Sequence, residues 1–250
     1  MRTVRLFILL SCIPLFFSFH DNDAPKHFEN FKRIAYKKIP FVPSDTMGYG
    51  RFQASLRKIP GLLGCSIKVN LDGDPKNERI DVSIYKNKKR IAHFRPLSFN
   101  ISAAPINDLQ YADIDGNGCV DMKFSVWSGG CGLAGEATTK VYIMNKNDSL
   151  FTCFSFSDFS DDQEYDMNDD GNYEILSSDY DTYNGHAYFV HNAYNFRNDS
   201  LVNNSEKFNY PLWTRFLNYS RNKISTIIPA KVIAQSRTEQ PWHFYISSKQ

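Results

Sequence analysis

Two nine-residue segments carry the clearest chemistry in this chain: DIDGNGCVD from Asp113 to Asp121, and DMNDDGNYE from Asp166 to Glu174. Both place an oxygen-bearing side chain at positions 1, 3 and 5, glycine at 6 and a carboxylate at 9. A hard cation such as calcium gathers six to eight oxygens at about 2.3–2.6 Å from a chain that curls round it. Alternate residues of a tight loop point inward together, and glycine accepts the backbone turn that other residues resist. The pattern predicts side-chain ligands Asp113, Asp115, Asn117 and Asp121 in the first loop, and Asp166, Asn168, Asp170 and Glu174 in the second. The position-7 carbonyls of Cys119 and Asn172 are the natural backbone donors.

An EF-hand closes on an acid at position 12, where this chain has Phe124 and Ser177. Strand patterns rather than helices follow both loops, so the expectation is a strand–loop–strand site. Magnesium fits less well, because it prefers a rigid octahedron that keeps water. The competing reading is a metal-free Asx-turn hairpin, since Asp, Asn and Gly favour such turns anyway. Two copies with the same five constrained positions weigh against it. A third, degenerate copy precedes them, with Asn70, Asp72 and Asp74 at positions 1, 3 and 5. There Pro75 replaces the glycine and the closing Asp81 comes three residues late, so that loop is expected to be empty.

The elements that must hold these loops read mostly as strands. Ile80, Val82 and Ile84 alternate with polar positions, as do Val120, Met122, Phe124 and Val126. Val141 and Ile143, Phe154 and Phe156, and the run Tyr188 to His191 continue the pattern. Helices are expected only near the ends, over Phe28, Phe31, Ile34 and Ala35, and over Leu212, Phe216 and Tyr219.

The first positions of the three copies lie 43 and 53 residues apart, the period of one four-stranded propeller blade. On these loops the sequence resembles the FG-GAP/VCBS-type repeat proteins, whose blades carry D-x-D-x-D-G-x-x-D calcium loops. The resemblance implies an all-β fold: a small or irregular β-propeller-like set of antiparallel sheets with calcium-binding loops and short helices near the termini. A rolled antiparallel sheet is equally allowed. The domain reading is a signal peptide over 1–20, an N-terminal segment over 21–65, β repeats over 66–195, and a C-terminal segment over 196–250 packed on the same domain.

Arg2 and Arg5 precede an apolar run from Leu6 to Phe19, the layout of a secretory leader. No second apolar stretch approaches membrane length, so a secreted or periplasmic protein without a stable span is expected; a retained anchor is the rival. Loss of the leader removes Cys12 and leaves Cys65, Cys119, Cys131 and Cys153. An even number in an oxidising compartment favours two disulfides, here taken as Cys119–Cys131 and Cys65–Cys153, over a zinc site that lacks C-x-x-C spacing.

A net charge of +2 gives no bulk grip on nucleic acid. No nucleophile elbow, zincin, P-loop or dinucleotide motif occurs, so no catalytic residue is assigned and an enzyme is not expected. Asp158, Asp161, Asp162 and Glu164 read as a solvated acidic turn, with a glycan-acting hydrolase as the alternative. The remaining expectation is a calcium-braced scaffold presenting loops, such as Trp127 to Gly135, to a protein or glycan. The resemblance makes that concrete as an inhibitor or immunity protein of a cell-wall hydrolase; a cell-surface adhesion protein is the other version.

Overall fold

A computed structural model describes residues 31–41, 43–45, 51–56, 58–74, 78–97, 101–105, 107–128, 137–159, 164–215 and 224–249. The expected leader, Cys131 and most of the loop after Trp127 lie outside them. In chain order the elements begin with β1 (Lys32–Arg33), β2 (Lys37–Ile39), β3 (Pro43–Asp45), β4 (Arg51–Leu56) and β5 (Cys65–Asp72). β6 (Arg79–Lys86), β7 (Lys89–Phe94), β8 (Ile101–Pro105), β9 (Leu109–Ala112) and β10 (Asp121–Ser128) follow. Then come β11 (Thr138–Asn145), β12 (Phe151–Asp158), β13 (Tyr165–Asp166), β14 (Ile175–Tyr183) and β15 (His186–Arg197). The chain finishes with β16 (Ser200–Asn203), β17 (Leu212–Arg215), α1 (Ala230–Gln235) and β18 (Tyr245–Lys249).

Pairing is antiparallel throughout. One sheet runs β3-β4-β5-β6-β7; the central one runs β18-β12-β11-β10-β9-β2, with β8 also on β10; a third joins β14-β15-β16, with β17 on β15. The fold is an irregular all-β arrangement, with no closed barrel among the described residues. Two-residue turns set three of the hairpins: Asn87-Lys88, Asn184-Gly185 and Asn198-Asp199 all take positive φ at both positions, which matches the right-handed twist of their strands.

The central sheet is buried on both faces, and every residue of β11 and β12 is inaccessible. Met122, Phe124, Val126, Val141, Ile143 and Cys153 point to the five-stranded sheet and pack on Ile67, Val69, Val82 and Ile84. Tyr142, Met144, Phe154 and Phe156 point the other way, onto Ile175, Tyr194 and Phe196. The strand alternation read from the sequence therefore holds at β6, β10, β11 and β12, and the short strand expected over Tyr188 to His191 lies within β15. Both terminal segments also join this body: β18 pairs with β12, and β2 with β9.

Two helix expectations are corrected. Around Ile34 and Ala35 the chain is extended, with Ile34 turned inward, Ala35 outward and Tyr36 inward again, a period of two rather than 3.6. The cause is tertiary: β1 pairs with β13, β2 pairs with β9, and the Ile34 N–H donates to Glu164 O at 3.0 Å. Leu212 likewise belongs to β17, recruited by β15, while Phe28, Phe216 and Tyr219 lie outside the described residues.

The Cys65–Cys153 bridge is not formed. Both are free buried thiols, one opening β5 and the other inside β12, in the same apolar cluster. Burial pushes the Cys153 thiol far up. Cys119 is also a free thiol.

Phe154 stacks on Tyr142 at 4.6 Å and Phe196 at 5.4 Å, so it ties the central sheet to the third one. Phe154→Ala is expected to cost about 3–5 kcal/mol in urea unfolding. Leu63→Ala, at a site 89% exposed, is expected to stay within about 0.5 kcal/mol.

Candidate metal centre

The two full loops fold as the same turn. In each, the position-1 aspartate accepts the position-6 glycine N–H: Gly118 to Asp113 Oδ2 at 2.9 Å, and Gly171 to Asp166 Oδ2 at 3.1 Å. Position 3 accepts from position 5 at 3.2 Å in both, Asn117 N–H to Asp115 Oδ1 and Asp170 N–H to Asn168 Oδ1. Position 5 accepts from position 7, at 2.6 Å from Cys119 and 2.9 Å from Asn172. The closing acid takes the position-2 N–H at 2.8 Å in both, Ile114 to Asp121 and Met167 to Glu174. Positions 4 and 6 take positive φ in both: Gly116 (72°) and Gly118 (83°), then Asp169 (57°) and Gly171 (80°). The requirement at position 4 was not read from the sequence; its only signals are Gly in one copy and Asp, a residue tolerant of that region, in the other.

In the first loop, oxygens of Asp113, Asp115 and Asp121 lie within 4.8 Å of one another, the one such cluster of three among the described residues. Two oxygens on a shared calcium can be no more than about 5 Å apart, so the spacing fits the ion. Asp113 Oδ1 is buried without a hydrogen-bond partner, a costly condition for a carboxylate unless a cation meets it. Asp121 is fully buried and takes N–H groups from Ile114 and Asn145 at 2.8 and 2.7 Å. Burial pushes its carboxyl up to about 8, with the charges of Asp115 and Asp113 adding and the two N–H groups opposing. Burial raises Asp115 as well. Asn117 sits at the rim, its amide donating to Asn145 O and to Asp115.

The second loop is not gathered in the same way. Asp170 Oδ2 is held by the Arg197 guanidinium at 2.9 Å and by the Asn168 amide at 3.0 Å. Glu174 is fully buried and accepts the Asn195 amide at 3.0 Å; burial raises its carboxyl. Asn172 points its amide at Phe196 O. The degenerate copy spends its acids on bases. Asp81 meets Arg79 at 2.9 Å, Arg95 at 3.0 Å and His93 at 3.1 Å, and Asp72 meets Arg51 at 3.4 Å. Asn70 takes the Gln53 amide, and it stands opposite Asp81 in the β5–β6 register.

Sequence reasoning missed a buried charge network. Glu164 and Asp158, expected in a solvated turn, are about 1% and 0% exposed. Glu164 accepts Lys123 Nζ and Tyr142 OH at 2.6 Å and Tyr36 OH at 2.7 Å. Burial works to raise the Glu164 carboxyl, but Lys123, Tyr142 and Lys140 outweigh it and hold the group below its ordinary value. Lys140 pairs with Asp158 in the same layer. Asp161 and Asp162 lie outside the described residues. His191 is buried between Ser178 Oγ and Thr214 Oγ1.

Comparison with protein-family models, curated proteins and solved structures finds no match to this chain.

The raised Asp121 carboxyl sets a pH dependence. In the cation-free chain it keeps a proton that the unfolded carboxyl has lost, so its stabilising contribution falls as pH rises from about 4 through about 8. Calcium needs the ionised form. Binding at pH 6.5 is therefore expected to release a proton, seen as calorimetric heat that varies with buffer ionisation enthalpy, and the release should vanish above pH 9. Asp121→Asn is expected to remove most of it.

Proposed function

We propose that this protein is an exported calcium-braced β scaffold that binds another macromolecule. The observation that carries the calcium reading is the repetition of one turn, with the same four hydrogen bonds, in two loops 53 residues apart. The unpartnered buried oxygen of Asp113 supports it. Each loop joins the strands it sits between, β9 to β10 and β13 to β14, so an ion there would fix how the two strands leave the turn. The leader-like segment over 1–20 supports export. The likeness of the loops to FG-GAP/VCBS repeats supports a binding role, in its concrete form inhibition of, or immunity to, a cell-wall hydrolase.

The geometry gives less support to a glycan hydrolase. Such an enzyme needs one carboxyl with a raised pKa facing its substrate. Glu164 is held ionised by Lys123, and Asp158 is paired with Lys140. No helix among the described residues is long and apolar enough to cross a membrane. Trp127 is 52% exposed at the end of β10, next to the expected contact loop. Of the C-terminal aromatics, Trp213 is buried and Phe244 packs on the core, while Trp242 is partly exposed.

A ligand present at about 100 times its Kd adds roughly 2.7 kcal/mol of stability. Chelation is therefore expected to lower the melting temperature by roughly 5–10 °C for a chain of this size. Asp115→Ala combined with Asp170→Ala should abolish that response. A melt that ignores excess chelator counts against both loops. A pull-down from native extract, with and without chelator, tests the binding role; turnover of a glycan library by the purified protein would overturn it.

A further inference from the structure

We propose that the end of the five-stranded sheet where the β6–β7 turn meets the start of β5 is a docking tip for an anionic lipid surface. It needs no ion in either acidic loop, and it names a partner class that the scaffold reading leaves open.

The sequence concentrates bases at this end. Residues 82–97 carry Lys86, Lys88, Lys89, Arg90 and Arg95, residues 58–71 carry Lys58 and Lys68, and neither stretch has an Asp or Glu. Asn87 and Lys88 make the two-residue turn, and Lys86 stands opposite Lys89 across it. Like charges placed opposite one another destabilise a hairpin, so stability does not explain the choice. Lys88, Lys89 and Arg90 are exposed, and no ion pair among the described residues holds them. Lys86 donates to an uncharged group, the Asp148 carbonyl, at 3.0 Å, while the Asp148 carboxylate accepts the Asn145 amide.

Leu63 stands beside these bases. The Asn87 N–H donates to Gly64 O at 3.0 Å, and Cys65 faces Lys86 in the β5–β6 register. Leu63 is 89% exposed, more than any other large apolar side chain among the described residues. The backbone pins it outward. Ile59 and Leu62, on the same turn, are buried in the core; the Leu62 N–H donates to Ile59 O at 3.0 Å, and the Cys65 N–H to Leu62 O at 3.2 Å. Gly61 lies so close to Val120 that a Cβ there would stand 2.5 Å from Val120 Cγ2, and a Cβ on Gly64 would stand 2.7 Å from Asn87 Oδ1. A soluble polyanion would use the bases alone. A fixed apolar side chain among them fits a surface that offers anions in one layer and hydrocarbon just beneath it. Each base near such a surface strengthens binding about 5-fold, and a leucine entering the acyl boundary adds about 10-fold.

The test is flotation of the chain, as its host exports it, with vesicles of phosphatidylcholine alone and with about one-third phosphatidylglycerol added. Binding is expected on the mixed vesicles and should weaken as salt rises. Lys88→Gln with Lys89→Gln should weaken it about 25-fold, and Leu63→Ala about 10-fold. Ile227→Ala with Lys231→Ala is the control: it removes a 66% exposed apolar side chain and an exposed base elsewhere, next to Ile228 of the β15–β17 cluster, and should change nothing. No binding to the mixed vesicles overturns the proposal. So does equal binding to both kinds of vesicle that ignores the tip variants, which is what a retained leader would give, and so does a control as weak as the tip variants. If the lysine pair matters and Leu63→Ala does not, the tip reads charge alone and the lipid docking is overturned in favour of a soluble polyanion.

Discussion

A carboxylate taken out of water must be met by something, and most of this architecture answers that demand. Desolvation of an ion costs several kcal/mol, so a buried acid survives only with good partners. Three solutions stand side by side. Glu164 and Asp158 are met by lysines inside the protein. Asp72 and Asp81 are met by bases at its edge. Asp121 and Asp113 are met only by backbone N–H groups, with one oxygen of Asp113 unpartnered. An N–H dipole stabilises a carboxylate, but it does not offset three acids gathered within 4.8 Å of one another, and in the cation-free chain Asp121 stays protonated up to about pH 8 instead.

The layered sheets explain why these acids are trapped at all. β11 and β12 bury both faces, so every polar side chain they carry must be satisfied within the layer. Lys123, on the neighbouring β10, meets the same demand by lying over the rings of Tyr36 and Tyr142 while its ammonium reaches Glu164. Tyr36 comes from the N-terminal segment, so the same network that settles the charge also fastens that segment down. Removing one partner would strand the rest, because a half-satisfied network is worse than an apolar core.

Much of this was legible in the sequence, and the limits have physical causes. The loops could be read because local backbone geometry fixes the residue at each position within nine residues. The strands could be read because one face of each is apolar. The helix expected over Phe31, Ile34 and Ala35 failed because pairing with β9 and β13, far along the chain, overrode a weak local pattern. The Glu164 network was invisible for the same reason: Lys123, Tyr142 and Tyr36 lie 41, 22 and 128 residues away. The cysteines misled because an even count says nothing about whether two thiols face each other. α1 was missed because its six residues are too few to show a period.

The three copies of the acidic motif differ in how their negative charge is met. In the copy whose sequence has Pro75 in place of the turn glycine, β5 and β6 pair as far as Asp72 and Arg79. Its closing acid, Asp81, meets the guanidinium groups of Arg79 and Arg95, which neutralise it within the chain, and lies beside His93. The second full loop stands part-way, with its turn intact and one acid already held by Arg197. The first has no base on its triad of acids among the described ion pairs. The number of bases on the acids rises from the first full loop, through the second, to the degenerate copy. That is the expected order if the same negative charge must be neutralised in all three sheets, whether by an ion or by the chain itself.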